Sequence, residues 1–220
     1  MFPLSDVIPS RTRPVVTVSL IALNTLMFLY QLWLDDQTMV RLVYDFGVIP
    51  AHLSYRDIVT SMFLHGDFLH FLGNMVFLWI FGDNVEDRVG HGGFLLFYLG
   101  TGGVAALAQV FANPASVAPM IGASGAIAGV MGAYFVLYPH SRILTAVFFF
   151  LFLDIIEIPA IFFLGVWFLL QVVHGSLSAG VEGGGVAFWA HAGGFAAGLL
   201  IGVYLRGRDR TARAYWRDVH

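Results

Sequence analysis

The chain has 220 residues, of which 58% are hydrophobic, 15% aromatic and only 11% charged, with a mean hydropathy of +0.79. A soluble domain carries about 25% charged residues, so this composition excludes an ordinary soluble globular protein, and a net charge of −3 offers no sign of a nucleic-acid partner. There is no cysteine, which excludes disulfides and thiolate chemistry.

The apolar residues fall in runs of about 15–25, long enough for helices that satisfy their own backbone hydrogen bonds in lipid. The first such run, Val15–Leu34, follows prolines, Asp6, Arg11 and Arg13, unlike a cleaved signal peptide, and reads as a retained helix. A polar loop with Asp35, Asp36, Arg41 and Asp45 comes next. The second helix is predicted within Asp67–Asp83, the third within Phe94–Phe111, the fourth within Ser124–Tyr138 and the sixth within Ala187–Leu205. Between the last two, Ile143–His174 is a stretch of 32 residues, too long for one crossing, too short for two, and interrupted by Asp154, Glu157 and Pro159.

Charge asymmetry selects the topology. A single crossing there gives an all-α membrane protein with six transmembrane helices and both termini cytoplasmic. Nine arginines, at 11, 13, 88, 142, 206, 208, 210, 213 and 217, then share the inner side and only Arg41 and Arg56 lie outside. The expected organisation is one domain: a cytoplasmic N-terminal segment at 1–14, the helical bundle at 15–205 and a basic cytoplasmic tail at 206–220. Residues 143–154 are expected to be interfacial or re-entrant. Short loops with arginine as the only cation suggest the cytoplasmic membrane of a bacterium.

Polar side chains inside a bilayer are costly unless partnered, so they mark functional candidates. His70 and Asn74 fall on the second helix, Ser124 on the fourth and His191 on the sixth, and in the six-helix topology these three run in the same direction. His70 and Ser124 each lie 18 residues before an inner arginine, and His191 lies 15 before Arg206. At a rise of 1.5 Å per residue, all are roughly 22–27 Å from that side, below the outer edge of a hydrocarbon core about 30 Å thick. His70 and Asn74, at i and i+4, share a face. Gly125, Gly129 and Gly132 on the fourth helix, and Gly194, Gly198 and Gly202 on the sixth, are small-residue ribbons of the kind that lets helix backbones meet in lipid. Their contact brings Ser124 to His191.

A serine hydroxyl needs a base within hydrogen-bond reach to act as a nucleophile, and a desolvated, neutral histidine supplies one. No intramembrane carboxylate is matched to orient the imidazole, so the arrangement is a dyad. The Ser124 N–H in a first helical turn, with the His70 and Asn74 side chains, would complete an oxyanion hole. His65 and His70 lack the spacing and glutamate of a helical zinc motif, so no metal is expected, and His65 reads as structural. Asp83, Glu86, Asp87 and Arg88 form a charge cluster on the cytoplasmic side.

Three stretches together, "HGDFLHFLGNM" (His65–Met75), "GASGAIAGVMGAYFVLYP" (Gly122–Pro139) and "AHAGGFAAG" (Ala190–Gly198), resemble the rhomboid family of intramembrane serine proteases. The opening segment and "EDRVGHGGFLLFYL" extend that likeness over nearly all of the chain except the tail. The resemblance implies a six-helix rhomboid-like bundle, Ser124 as nucleophile, His191 as general base, and His70, Asn74 and backbone groups at Gly122 and Ser124 as the oxyanion hole. It implies transmembrane proteins of the bilayer as substrates and no cofactor. The fifth helix and the loop 175–188 would correspond to the family's gate and cap, and the loop 35–57 to its membrane-embedded surface loop. Some members carry a tyrosine four residues after the serine, stacked on the histidine; here that position is Ala128, so His191 must be oriented from elsewhere. A second reading, a catalytically inactive rhomboid-like protein that binds membrane helices, is disfavoured by the presence of both Ser124 and His191. A small transporter is disfavoured because the polar groups gather toward one surface.

Overall fold

Residues 15–34 carry a stripe of inward positions at helical spacing, and in the computed structural model they form α1 (Val15–Gln31), which buries Thr17, Leu20, Asn24, Phe28 and Gln31. The structure describes residues 2–149, 152–177 and 187–218, without the side chains of 148, 149, 152 and 209–218. The loop that follows holds two short helices, α2 (Asp36–Phe46) and α3 (Tyr55–Thr60). Asp35 caps α2 by accepting from the Gln37 and Thr38 N–H groups. At the end of α1 the Gln31 amide clamps the chain just before the next helix: it donates to the His65 carbonyl (2.9 Å) and accepts from the His65 N–H (3.1 Å).

α4 (Phe68–Val89) begins at an Asp67 cap and stops at Gly90, whose φ of 76° only glycine adopts without strain. α5 (His91–Ala112) follows at once. α6 (Ser124–Leu137) is the hub, buried without interruption from Ala126 to Tyr134. It packs most closely on α8 (Phe188–Asp218), and α4, α5 and α7 (Ala160–Leu177) also touch it. Among the described residues, four helices are long and apolar enough to cross a membrane: Phe68–Val89, His91–Ala112, Ala160–Leu177 and Phe188–Arg208. Val15–Gln31 and Ser124–Leu137 are apolar but shorter. The protein is therefore a multi-pass helical membrane protein.

An all-α fold is the expectation, and it is corrected in the segment 143–154, which is expected to be interfacial or re-entrant and is part of a β-hairpin. Residues Arg142–Phe149 (β2) and Phe152–Pro159 (β3) form an antiparallel hairpin, and Phe2–Asp6 (β1) adds to the other edge of β2. The segment is dense in β-branched and aromatic side chains, which fit a pleated surface better than a helix. The two strands use up nearly half of the stretch Ile143–His174, and only the single helix α7, which runs on to Leu177, follows them. Ile143 and Thr145 point inward, fully buried, while Arg142 pairs across the hairpin with Glu157 (2.7 Å). Phe2–Asp6, within the N-terminal segment, is thus a sheet strand. At the other end, α8 does not stop at Leu205. It continues through the arginines to Asp218, and Arg206 donates to the Val136 carbonyl at the end of α6 (3.0 Å).

Candidate active site

α6 and α8 meet through glycine. A Cβ placed on Gly194 would collide with the Gly125 carbonyl oxygen, one on Gly198 with the Gly129 carbonyl, and one on Gly132 with the Phe195 carbonyl. No side chain stands between the helices at these points, so the backbones touch, as small-residue ribbons allow. Ser124, the first residue of α6, and His191, in the first turn of α8, are carried together by that contact. The His191 Nε2 lies 2.7 Å from the Ser124 Oγ.

The other ring nitrogen fixes the roles. His191 Nδ1 lies 2.8 Å from the Oε1 of Gln171, on α7. An amide oxygen only accepts, so Nδ1 carries the proton and Nε2 presents its lone pair to the Ser124 hydroxyl. The Trp167 indole, one turn before Gln171, tilts against the same imidazole with ring centroids 5.8 Å apart. A second glutamine seats the start of α8: Gln109 of α5 accepts from the Ala190 N–H (3.2 Å).

On the opposite side of Ser124, His70 and Asn74 converge on Gly122. That glycine has φ of 124° and is where the chain turns into α6. A Cβ there would sit 2.7 Å from the His70 Nε2 and 3.7 Å from the Asn74 Nδ2, so a side chain would fill the space these groups face. Asp67 accepts from the His70 N–H (2.8 Å) and the Gly66 N–H donates to the His70 Nδ1 (3.5 Å), leaving Nε2 as the ring's donor toward Gly122. Asn74 is buried and its Nδ2 has no partner, an unsatisfied donor of the kind that requires an explanation. The Gly122 N–H, expected among the hole donors, is already given to the Ser61 carbonyl (2.8 Å). What Gly122 supplies is room. The Ser124 N–H, in the first turn of α6, has no acceptor within its own helix.

His65 packs edge-on to Phe71 and His70, with centroids at 5.5 and 5.2 Å, and burial pulls its pKa down to about 4, so it sits neutral in an aromatic cluster. Among the described residues, no three His, Asp or Glu side chains gather as metal ligands would. The sequence reading missed Gln171, Gln109 and Trp167. Gln171 is the one amide in the apolar run Ala160–Val173, and the rule that selected His70 and His191 selects it equally.

The Rhomboid domain family matches residues 52–208. Rhomboid protein 1, mitochondrial, of Saccharomyces cerevisiae is 32% identical over 155 residues, which cover 68% of this chain and 41% of that protein. The putative rhomboid protease YdcA of Bacillus subtilis is 32% identical over 132 residues, 56% of this chain and 62% of that one. Rhomboid protease GlpG of Salmonella choleraesuis is 29% identical over 133 residues, 60% and 46% respectively. The match thus spans between two fifths and just over three fifths of these relatives' lengths.

Proposed function

We propose that this chain, which belongs to the rhomboid family, is an intramembrane serine endopeptidase that hydrolyses peptide bonds in or beside the transmembrane segments of other membrane proteins. The observation that carries this reading is the 2.7 Å approach of Ser124 Oγ to His191 Nε2. Oγ attacks the scissile carbonyl carbon while its proton passes to Nε2, and the carbonyl electron pair becomes an oxyanion. The His70 Nε2–H, the Asn74 Nδ2–H and the Ser124 N–H receive that charge. The imidazolium then protonates the leaving amine, the C–N bond breaks, and the acyl group stays on Ser124. Water, deprotonated by His191, releases it by the reverse sequence. No cofactor enters the scheme.

In this reading α1 and α6 also cross the bilayer, six helices in all, with 1–14 and 206–220 on the cytoplasmic side of the bundle 15–205. Arginine placement supports that orientation. The shortness of α6 suits a helix that starts below the outer surface, where protein surrounds the non-helical chain before Ser124. Short loops and arginine-only cations favour a bacterial cytoplasmic membrane. The mitochondrial name of the yeast relative lends that compartment no support.

The test is labelling with a fluorophosphonate probe and cleavage of a transmembrane test substrate in detergent or proteoliposomes. The native protein is expected to do both, and Ser124→Ala and His191→Ala to lose cleavage. Cleavage that persists in Ser124→Ala ends the assignment, and a native protein that neither labels nor cleaves points to an inactive helix-binding relative.

A further inference from the structure

We infer that Gln171 is the positioning residue of the site, a neutral third member that holds His191 in the one tautomer able to take the Ser124 proton. The inference rests on the protease reading above. Its basis is the chain of contacts Ser124 Oγ to His191 Nε2 (2.7 Å) and His191 Nδ1 to Gln171 Oε1 (2.8 Å), which runs across three helices.

The arrangement depends on which end of the amide faces the ring. With Oε1 toward His191, Nδ1 is the N–H and Nε2 the base. With the amide reversed, its NH2 would donate to Nδ1, the ring proton would move to Nε2, and no lone pair would face the serine. Gln171 therefore does more than fill space. Nothing on α6 duplicates it: Ala128, one turn after Ser124, offers only a buried methyl. The other support of the ring is Trp167, an aromatic face that restrains the plane but selects no tautomer.

The choice of an amide over a carboxylate follows from the surroundings. A carboxylate in this position would have to be desolvated among Trp167, Phe168 and Phe195, whose rings pack 4.6–6.2 Å apart, and a buried charge without full compensation is costly. An amide oxygen accepts the same hydrogen bond, in both the neutral and the imidazolium state, without a charge to bury. The cost is a weaker stabilisation of the imidazolium. Both groups that hold the ring come from α7, the least buried of the helices long enough to span, so the base is only as well placed as α7 is seated on α8.

The test uses the full chain in proteoliposomes, with kcat and KM measured against pH. Gln171→Leu keeps the bulk and removes the acceptor; kcat is expected to fall on the order of 10- to 100-fold, less than when a charged orienting group is lost, with KM within about twofold. Gln171→Glu restores the acceptor and adds charge. It is expected to recover kcat to within a few-fold and to move the acid limb of the profile to higher pH, because a carboxylate favours the imidazolium. A purely structural glutamine would not give that displaced limb. Independently of any variant, 15N spectra of histidine-labelled native protein at neutral pH should show His191 protonated at Nδ1 and bare at Nε2. An Nε2–H tautomer there, or a Gln171→Leu protein with native kcat and pH profile, overturns the role of Gln171 while the Ser124→Ala loss still stands. If the native protein fails to label or cleave, the protease reading falls instead.

Discussion

Gly198 lies against Gly129 so closely that a Cβ on the former would overlap the latter's carbonyl oxygen. Because the obstructing atom is backbone, no side chain can turn aside to make room, and the two helices must separate. Gly198→Val is therefore expected to destabilise the protein by about 3 kcal/mol, the upper end of overpacking costs. It should also slow cleavage by pulling His191 from Ser124, although it touches neither. Gly100→Ala, at an exposed helical position where an added Cβ meets nothing, is the control and should be neutral or slightly stabilising. Thermal unfolding in detergent micelles reads both; equal midpoints would refute the backbone-contact account.

Asn74 makes a prediction of opposite sign for stability and activity. Its Nδ2 is buried and unpartnered in the resting protein, which carries a desolvation cost of about 1–3 kcal/mol. A donor kept idle at such a cost is explained if its acceptor exists only in the transition state. Asn74→Ala is expected to leave the unfolding midpoint unchanged or raised while kcat falls on the order of 10²- to 10³-fold, as for other oxyanion-hole donors. A fall in both would recast Asn74 as a structural residue.

The parts of the molecule that are legible in its sequence are those governed by one dominant force. Lipid demands helices for the long apolar runs, and α1, α4, α5, α6 and α8 start within a few residues of the expected places. Two glycine ribbons and matched depths bring out Ser124 and His191 for the same reason: in lipid, only close packing or partnering justifies such residues. The hairpin at 142–159 is hidden because its strands lack the polar alternation that marks a half-exposed sheet, so in sequence it merges with α7. That merging conceals Gln171 as well, since a residue in a segment of unsettled crossing number has no depth to compare with the others. The far end of α8 is missed because hydropathy stops at Leu205 but helix propensity does not.

Asp6 links the sheet to the bundle in a pH-dependent way. Its Oδ2 accepts from the Tyr134 hydroxyl (2.5 Å), whose oxygen in turn accepts from the Ser141 hydroxyl (2.8 Å) in a network between β1 and α6. Burial, with a smaller push from Asp83, raises the Asp6 pKa to about 6 even though the Tyr134 bond opposes the rise. A folded-state pKa above the unfolded value means the contribution is complete below about pH 4 and is lost as pH climbs through about 6. The attachment of β1 should therefore weaken between about pH 4 and 6, by roughly 1 kcal/mol once solvent screening is allowed for. Hydrogen exchange of the Phe2–Asp6 amides should quicken over that range in the native protein, beyond the intrinsic rise with pH, and not in Asp6→Asn. An identical pH dependence in the two proteins would rule Asp6 out as the titrating group.

Glu86 holds the other end of the N-terminal region. α1 begins after Pro14 without any side-chain cap of its own. Its first N–H groups are met from α4: Glu86 accepts from Val16 N–H (2.9 Å), Thr17 N–H (2.7 Å) and the Thr17 hydroxyl (2.7 Å), and His91 Nδ1 lies 2.6 Å from its other side. Ser10 and Thr12 bond to Asp83 and Asp87 beside it. The acidic cluster thus docks the chain that leads into α1, with carboxylates set at a positive helix end. Glu86→Ala strips the acceptor from the three α1 donors and from His91 at once and is expected to cost about 2–4 kcal/mol, whereas Thr17→Val, which loses only the hydroxyl, should cost about 1 kcal/mol. Glu86→Gln should fall between them, since an amide accepts on one side only. Unfolding midpoints in the order native, Thr17→Val, Glu86→Gln, Glu86→Ala support a capping role; equal losses for Glu86→Gln and Glu86→Ala would instead assign the whole effect to charge.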